Sequence, residues 1–153
     1  MGLHGMPVLM ITDLDRSPCP PALIADRLGA PSSGFLFRVC VREVEAWLLA
    51  DRPAIAAFLK FSLSSVPIQP EQLDDPKAEL IRLAKYAPRA IRTGLTPVGS
   101  ATIDPEYNTL LTAFISDTRS PKVAVLTAPS LARAYQRLRA LAANLRKEGE
   151  DGG

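Results

Sequence analysis

The stretch "VLMITDLDRSPCPP", residues 8–21, decides how this chain is read. An apolar run over 6–12 stops at Asp13 and Asp15, which are separated by Leu14, and the chain then breaks at Pro18, Pro20 and Pro21. A continuous run of Val, Leu, Met and Ile suits a strand covered on both faces, as in a parallel sheet, and Asp13 marks its carboxyl end. Downstream, "PALIADRLG" puts Leu23, Ile24 and Leu28 on one helical face and stops at Gly29. "GFLFRVC", residues 34–40, is aromatic and β-branched and reads as a second strand. Strand, helix and strand in this order make a βαβ unit with parallel strands.

The composition fits one domain. The chain has 153 residues, 47% of them apolar and 22% charged, which is the balance of a globular protein with one core. We read a single domain over residues 1–147 and a flexible tail, "KEGEDGG", over 147–153, its last six residues beyond the domain. Nothing approaches the ~20 apolar residues of a bilayer span, and "MGLHGMPVL" lacks a basic lead into a secretory segment. A cytoplasmic location without membrane contact is the expectation. The net charge of +2 and pI near 8.7 do not by themselves argue for nucleic acid. Cys19 and Cys40 fall in no zinc-binding spacing and read as free thiols, and His4 is the one histidine. Serine or cysteine triads and three-histidine metal sites therefore lack their parts.

From Val41 the period becomes helical through "VREVEAWLLADRPAIAAFLKF", with a break at Asp51 and a new helix at Pro53. Residues 62–75 read as loop. Asp75 caps a helix with Pro76 at its first position, running to about Tyr86. "RTGLTPVGSATIDPEY" reads as loop, "EYNTLLTAFIS" as a short helix, and "KVAVLT" as either a strand or a helical turn. A last helix from Leu131 aligns Leu131, Tyr135, Leu138, Ala142 and Leu145 on one stripe. The fold class is α/β, with a small, mainly parallel sheet flanked by helices and a helix-rich C-terminal half.

Side chains at i and i+2 of an extended chain point to one side, so Asp13 and Asp15 are expected to share a volume, about 7 Å apart at Cα. Ligands of open α/β sheets bind beyond the carboxyl ends of the strands. Two crowded carboxylates repel and lose hydration, and a divalent cation relieves both costs, Mg²⁺ (or Mn²⁺) being the natural choice. The alternative is that Asp13 caps a turn and Asp15 is solvated. Glu45 has Val41, Leu48 and Leu49 on its helix face, where a lone charge is costly. Arg42 is one partner for it, and the metal of Asp13 is another. Glu43, on a different side, is expected to be solvated. Lys77, Arg16 and Arg42, with Arg38 and Arg133, are candidates for phosphate contacts, Lys77 foremost because it opens a helix.

With "DLD" after one strand, "REVEAWLLAD" after the next, "DDPKAEL" opening a helix and "APSLARAYQRL" near the end, the chain resembles domain-of-unknown-function family 4276, a bacterial group related to Toprim domains. The resemblance runs from about Val8 to Leu141, and Glu45 to Asp51 is its most specific part. It implies a Toprim-like fold with a Mg²⁺ site for phosphodiester chemistry, in which Asp13, Asp15 and Glu45 are the metal-binding and catalytic acids. Toprim domains also carry an earlier glutamate after a first strand. Only residues 1–7, without an acid, precede the strand here, so relative to that family the N-terminal unit is absent.

Three functional readings follow. The first is a metal-dependent nuclease acting on nucleic acid. The second is a binding or regulatory subunit of an ATPase-linked defence or repair system, with the ATPase subunit as partner, in which Trp47, Phe58 and Phe61 form either a contact stripe or core. The third is a haloacid-dehalogenase-like phosphatase with Asp13 as nucleophile and Asp15 as acid/base, although Asp74 and Asp75 follow no strand of the kind that family needs.

Overall fold

The structure is a computed structural model that describes residues 7–28, 34–96 and 106–151. Strand β1 (Val8–Asp13) leads to helix α1 (Pro20–Leu28) and strand β2 (Phe35–Cys40). The two strands pair in parallel from Val8 beside Phe35 to Asp13 beside Cys40. This is the expected βαβ unit, and it makes an α/β protein with a two-stranded sheet. Helices follow as α2 (Val44–Leu49), α3 (Arg52–Leu59), α4 (Pro76–Ala84), α5 (Arg89–Leu95), α6 (Tyr107–Asp117), α7 (Pro121–Ala124) and α8 (Pro129–Asp151). No helix among the described residues is long and apolar enough to cross a membrane.

β1 is not the doubly covered strand that its composition suggests. Val8, Leu9, Met10 and Ile11 are 39–48% exposed, because β2 is its one strand neighbour among the described residues and α8 packs on β2. On one face of β2, Phe37 and Val39 pack with Leu14 and Leu23 beneath α1. The largest cluster lies away from the sheet, among α2 to α6, where Leu49, Ile55, Leu59, Leu80, Leu83 and Phe114 are almost wholly enclosed. Phe58 packs on Phe114 with the rings tilted at 43° and their centroids 5.0 Å apart, and Phe61 packs on the same cluster. Trp47 is buried with Cys40, Ala124 and Leu131. Trp47 is thus a core residue, and Phe58 and Phe61 are half-buried against the main cluster rather than forming an exposed stripe.

Several boundaries move for local reasons. The helix expected from Val41 begins at Val44, because the Arg42 carbonyl already accepts from the Leu14 and Asp15 amides. Arg92 to Leu95, read as loop, belong to α5. Gly94, inside that stretch, serves close packing: a Cβ there would collide with Leu110 and Glu106 of the α6 segment. "KVAVLT" resolves to the helical turn of α7. The stripe on α8 buries Leu131 and half-buries Tyr135, whereas Leu138 and Leu145 are exposed. Its backbone is helical through Asp151, past the point where the sequence places a tail. Gly29, His4 and Met6 lie outside the described residues.

Asp75 caps α4 as expected and Asp51, read as a break, caps α3, accepting from the Ala78 and Ala54 amides at 2.7 and 3.3 Å. A longer-range join centres on Ser130 at the start of α8. Its Oγ accepts from Trp47 Nε1 at 2.7 Å and donates to Glu71 Oε1 at 2.6 Å, while its amide donates to the same carboxylate at 2.9 Å. Ser130→Ala would strand a buried indole N–H and is expected to cost about 1–3 kcal/mol. Urea denaturation followed by Trp47 fluorescence measures this, and an unchanged midpoint would show that the join is not a stabilising one.

Candidate functional site

The turn after β1 brings acidic side chains to the carboxyl end of the sheet. Asp13 Oδ1 accepts from the Val44 amide at 2.8 Å, so the last residue of β1 caps α2. Among the described residues Oδ2 of Asp13 has no hydrogen-bond partner. Burial pushes the Asp13 pKa above its ordinary value of 3.8, and the negative charges of Glu45 and Asp15 push it further, against the Val44 amide and the Lys77 ammonium.

Asp15 does not repeat the geometry of Asp13. The chain leaves the strand at Asp13, and Asp15 sits in the left-handed region at φ 49°. The i, i+2 alignment expected of an extended chain therefore does not hold. Asp15 is exposed, and its carbonyl accepts from the Arg42 guanidinium at 3.3 Å. Glu45 is 5% exposed, and its partner is neither Arg42 nor solvent. Its Oε1 accepts from the Tyr107 hydroxyl at 2.8 Å. Burial, followed by the charge of Glu45, holds the Tyr107 hydroxyl protonated by pushing its pKa well up.

Glu43 is half-buried and not solvated, because it occupies the extended residue before α2 rather than a helical position. Its Oε2 accepts from the Lys77 amide at 2.9 Å, and Asp75 takes the Ala78 amide. The first free amides of α4 are thus used by two carboxylates, which removes them as a phosphate cradle. Lys77 still contributes charge: its Nζ lies 5.3 Å from the centre of the Tyr107 ring. Burial raises the pKa of Glu43, helped by Glu45, Asp75 and Asp13 and opposed by the Lys77 amide.

Asp13, Glu43, Glu45 and Asp75 therefore form one electrostatically coupled group, with Asp15 at its rim. Sequence reasoning found Asp13, Glu45 and Lys77 but missed Glu43 and Tyr107. Glu43 was legible only with the correct helix start, and Tyr107 lies 62 residues from its partner. None of Asp13, Asp15, Glu43 and Glu45 has a Lys or Arg within ion-pair distance among the described residues. Nor do the described residues hold three or more His, Cys, Asp or Glu side chains arranged around one metal position. Mg²⁺ needs only one or two protein carboxylates because it keeps most of its waters, and Asp13 Oδ2 with its acidic neighbours fits that lesser requirement. Of the other cation candidates, Arg16 is exposed in the turn, Arg133 is exposed on α8, and Arg38 lies on the sheet away from the acids.

The raised pKa of Asp13 has a definite sign in stability. The native state holds its proton to higher pH than the unfolded chain, so this contribution favours folding at low pH and is lost as pH rises through the raised value. Asp13→Asn keeps an acceptor for Val44 and removes the charge. Its stability relative to wild type is expected to improve between pH 3 and pH 7 in urea titrations, whereas Asp13→Ala loses the cap and about 1 kcal/mol. A flat difference between Asn and wild type across this range would show that Asp13 is not under charge pressure. No family model, no curated protein and no solved structure matches this chain.

Proposed function

We propose that the acidic group at the end of β1 takes up a hydrated divalent cation, Mg²⁺ or Mn²⁺, and that the protein uses it on the phosphodiesters of nucleic acid. The observation that carries this reading is the state of Asp13: one oxygen fixed by the Val44 amide, the other without a partner, and a pKa raised by burial and by Glu45 and Asp15. Negative charge gathered without a matched Lys or Arg is relieved by a cation.

Within this reading each side chain has a task. Asp13 presents its second oxygen, and its cap on α2 fixes the carboxylate plane. Glu45, held by Tyr107, supplies charge from within the fold and orders water at its rim. Asp15, exposed and one turn on, contacts the hydration shell. Lys77 and Arg16 meet the anionic substrate. A bound divalent ion would supply charge neutralisation at phosphate and a more acidic water. The resemblance to Toprim-like domains points the same way.

A second reading rests on a different observation. Asp13, Glu43 and Glu45 each accept a hydrogen bond that joins elements of the fold, and Asp75 caps its own helix, as they would in a binding or regulatory subunit without chemistry of its own. Calorimetry with Mn²⁺ and Mg²⁺ on wild type and Asp13→Asn, followed by supercoiled-plasmid nicking, separates the two. The first reading expects metal binding that weakens at least tenfold in Asp13→Asn, with nicking lost in parallel. Equal metal affinity in both proteins would remove the cation site, and binding without nicking would favour the second reading.

A further inference from the structure

A groove of about 360 Å³ opens on the sheet face that carries Leu9 and Ile11, between β1, α2, α6 and α8. Five large apolar side chains that line it are also exposed: Leu9, Ile11, Val44, Ile115 and Leu138. Apolar exposure concentrated in one concavity differs from single residues scattered over a surface.

The polar part of this groove has one sign. Arg38 and Arg119 both line it, and each carries a buried Nε–H without a hydrogen-bond partner among the described residues. No Asp or Glu lines it. Asp51 is near enough to Arg119 to act on its charge, but its carboxylate accepts from the Ala54 and Ser120 amides. Arg137 adds a second positive charge near Arg38. Buried donors without acceptors are costly, and an incoming carboxylate would satisfy them.

The adjoining backbone says what shape the occupant has. β1 pairs with β2 alone, so its other edge leaves its outward amides and carbonyls unpaired within the described sheet. Only an extended chain satisfies such a row. Val8 and Met10, on the opposite face of β1, are exposed as well, which is the state of a strand suited to a neighbour on both sides.

We propose that a strand of a partner protein, apolar on one face and carrying an Asp or Glu there, pairs with the free edge of β1 and sets its carboxylate against Arg38 and Arg119. Edge hydrogen bonds supply affinity in this arrangement, and the arginines select the acidic strand. The carboxylate group at the end of β1 takes no part in it.

Trp47 is the one tryptophan of the chain and lines the groove, so its fluorescence reports occupancy. The probe is a fluorescein-labelled ten-residue peptide that alternates valine with threonine, one valine near the middle being replaced by glutamate so that the carboxylate lies on the valine face. Its controls replace the glutamate with glutamine, or place proline at the centre. The glutamate peptide is expected to shift the Trp47 emission and to bind at least tenfold more tightly than either control. Ile11→Lys and Arg38→Gln are each expected to weaken it at least tenfold, with far-UV circular dichroism confirming the fold. If Arg38→Gln fails to fold, Arg38→Lys carries the same test. Equal binding of all three peptides, or none by the glutamate peptide at millimolar concentration, overturns the proposal. So does light scattering that shows a dimer split by Ile11→Lys, because a second copy would then occupy the edge.

Discussion

The fold depends on carboxylates placed at helix starts. Each helix begins with amides that have no partner inside it, and in this chain acidic side chains supply several of the missing acceptors. Asp51 serves α3 and Asp75 serves α4, both from the residue just before the helix. Asp13 reaches α2 from the end of β1, Glu43 reaches α4 from the turn before α2, and Glu71 reaches α8 from a 3₁₀ turn. The Asp13 bond ties the small sheet to the helical body, whose main apolar cluster shares no residue with the sheet, and the other two bonds join parts of that body to one another. A two-stranded sheet is marginal alone, and this stitching fixes it to the rest.

The same division explains what could be read in advance. Local signals are visible in the sequence, Asp75 before Pro76 for α4, the break at Asp51 before Pro53 for α3 and the apolar runs for the βαβ unit, so these elements were legible. Caps that span 31 to 59 residues are not. Glu43 illustrates the loss: taken as helical it faces solvent, whereas as the extended residue before Val44 it turns to α4. The stretch from Arg92, read as loop, is the opposite case: its first four residues are helical, with Gly94 giving close contact to Leu110. The acidic group was half legible. Asp13 and Glu45 belong to one electrostatic unit, but the left-handed turn at Asp15 and the Tyr107 hydroxyl lay beyond any periodicity argument.

Structural and chemical roles need not compete at these carboxylates. A carboxylate has two oxygens, and Asp13 spends one on the Val44 amide. A side chain locked in this way loses little freedom when its second oxygen meets a ligand, which is how a fold pre-organises a site. Cys40 lies beneath the group, and burial first, then Asp13, keeps its thiol protonated and unreactive. Cys19, by contrast, is exposed in the proline-rich turn.

Helix α8 has a consequence of its own. Its 23 residues extend about 34 Å at 1.5 Å per residue, yet among its described side chains Ser130 and Leu131 alone are fully buried, with Ala134 and Tyr135 half-buried one turn on. Solvent-side turns open without disturbing any packed neighbour, whereas the first turn opens only with the Trp47 and Glu71 join. Amide protons along this one rod therefore exchange on a graded clock, slow at the proximal end and progressively faster toward the distal one, so that a single helix reports both local and global opening.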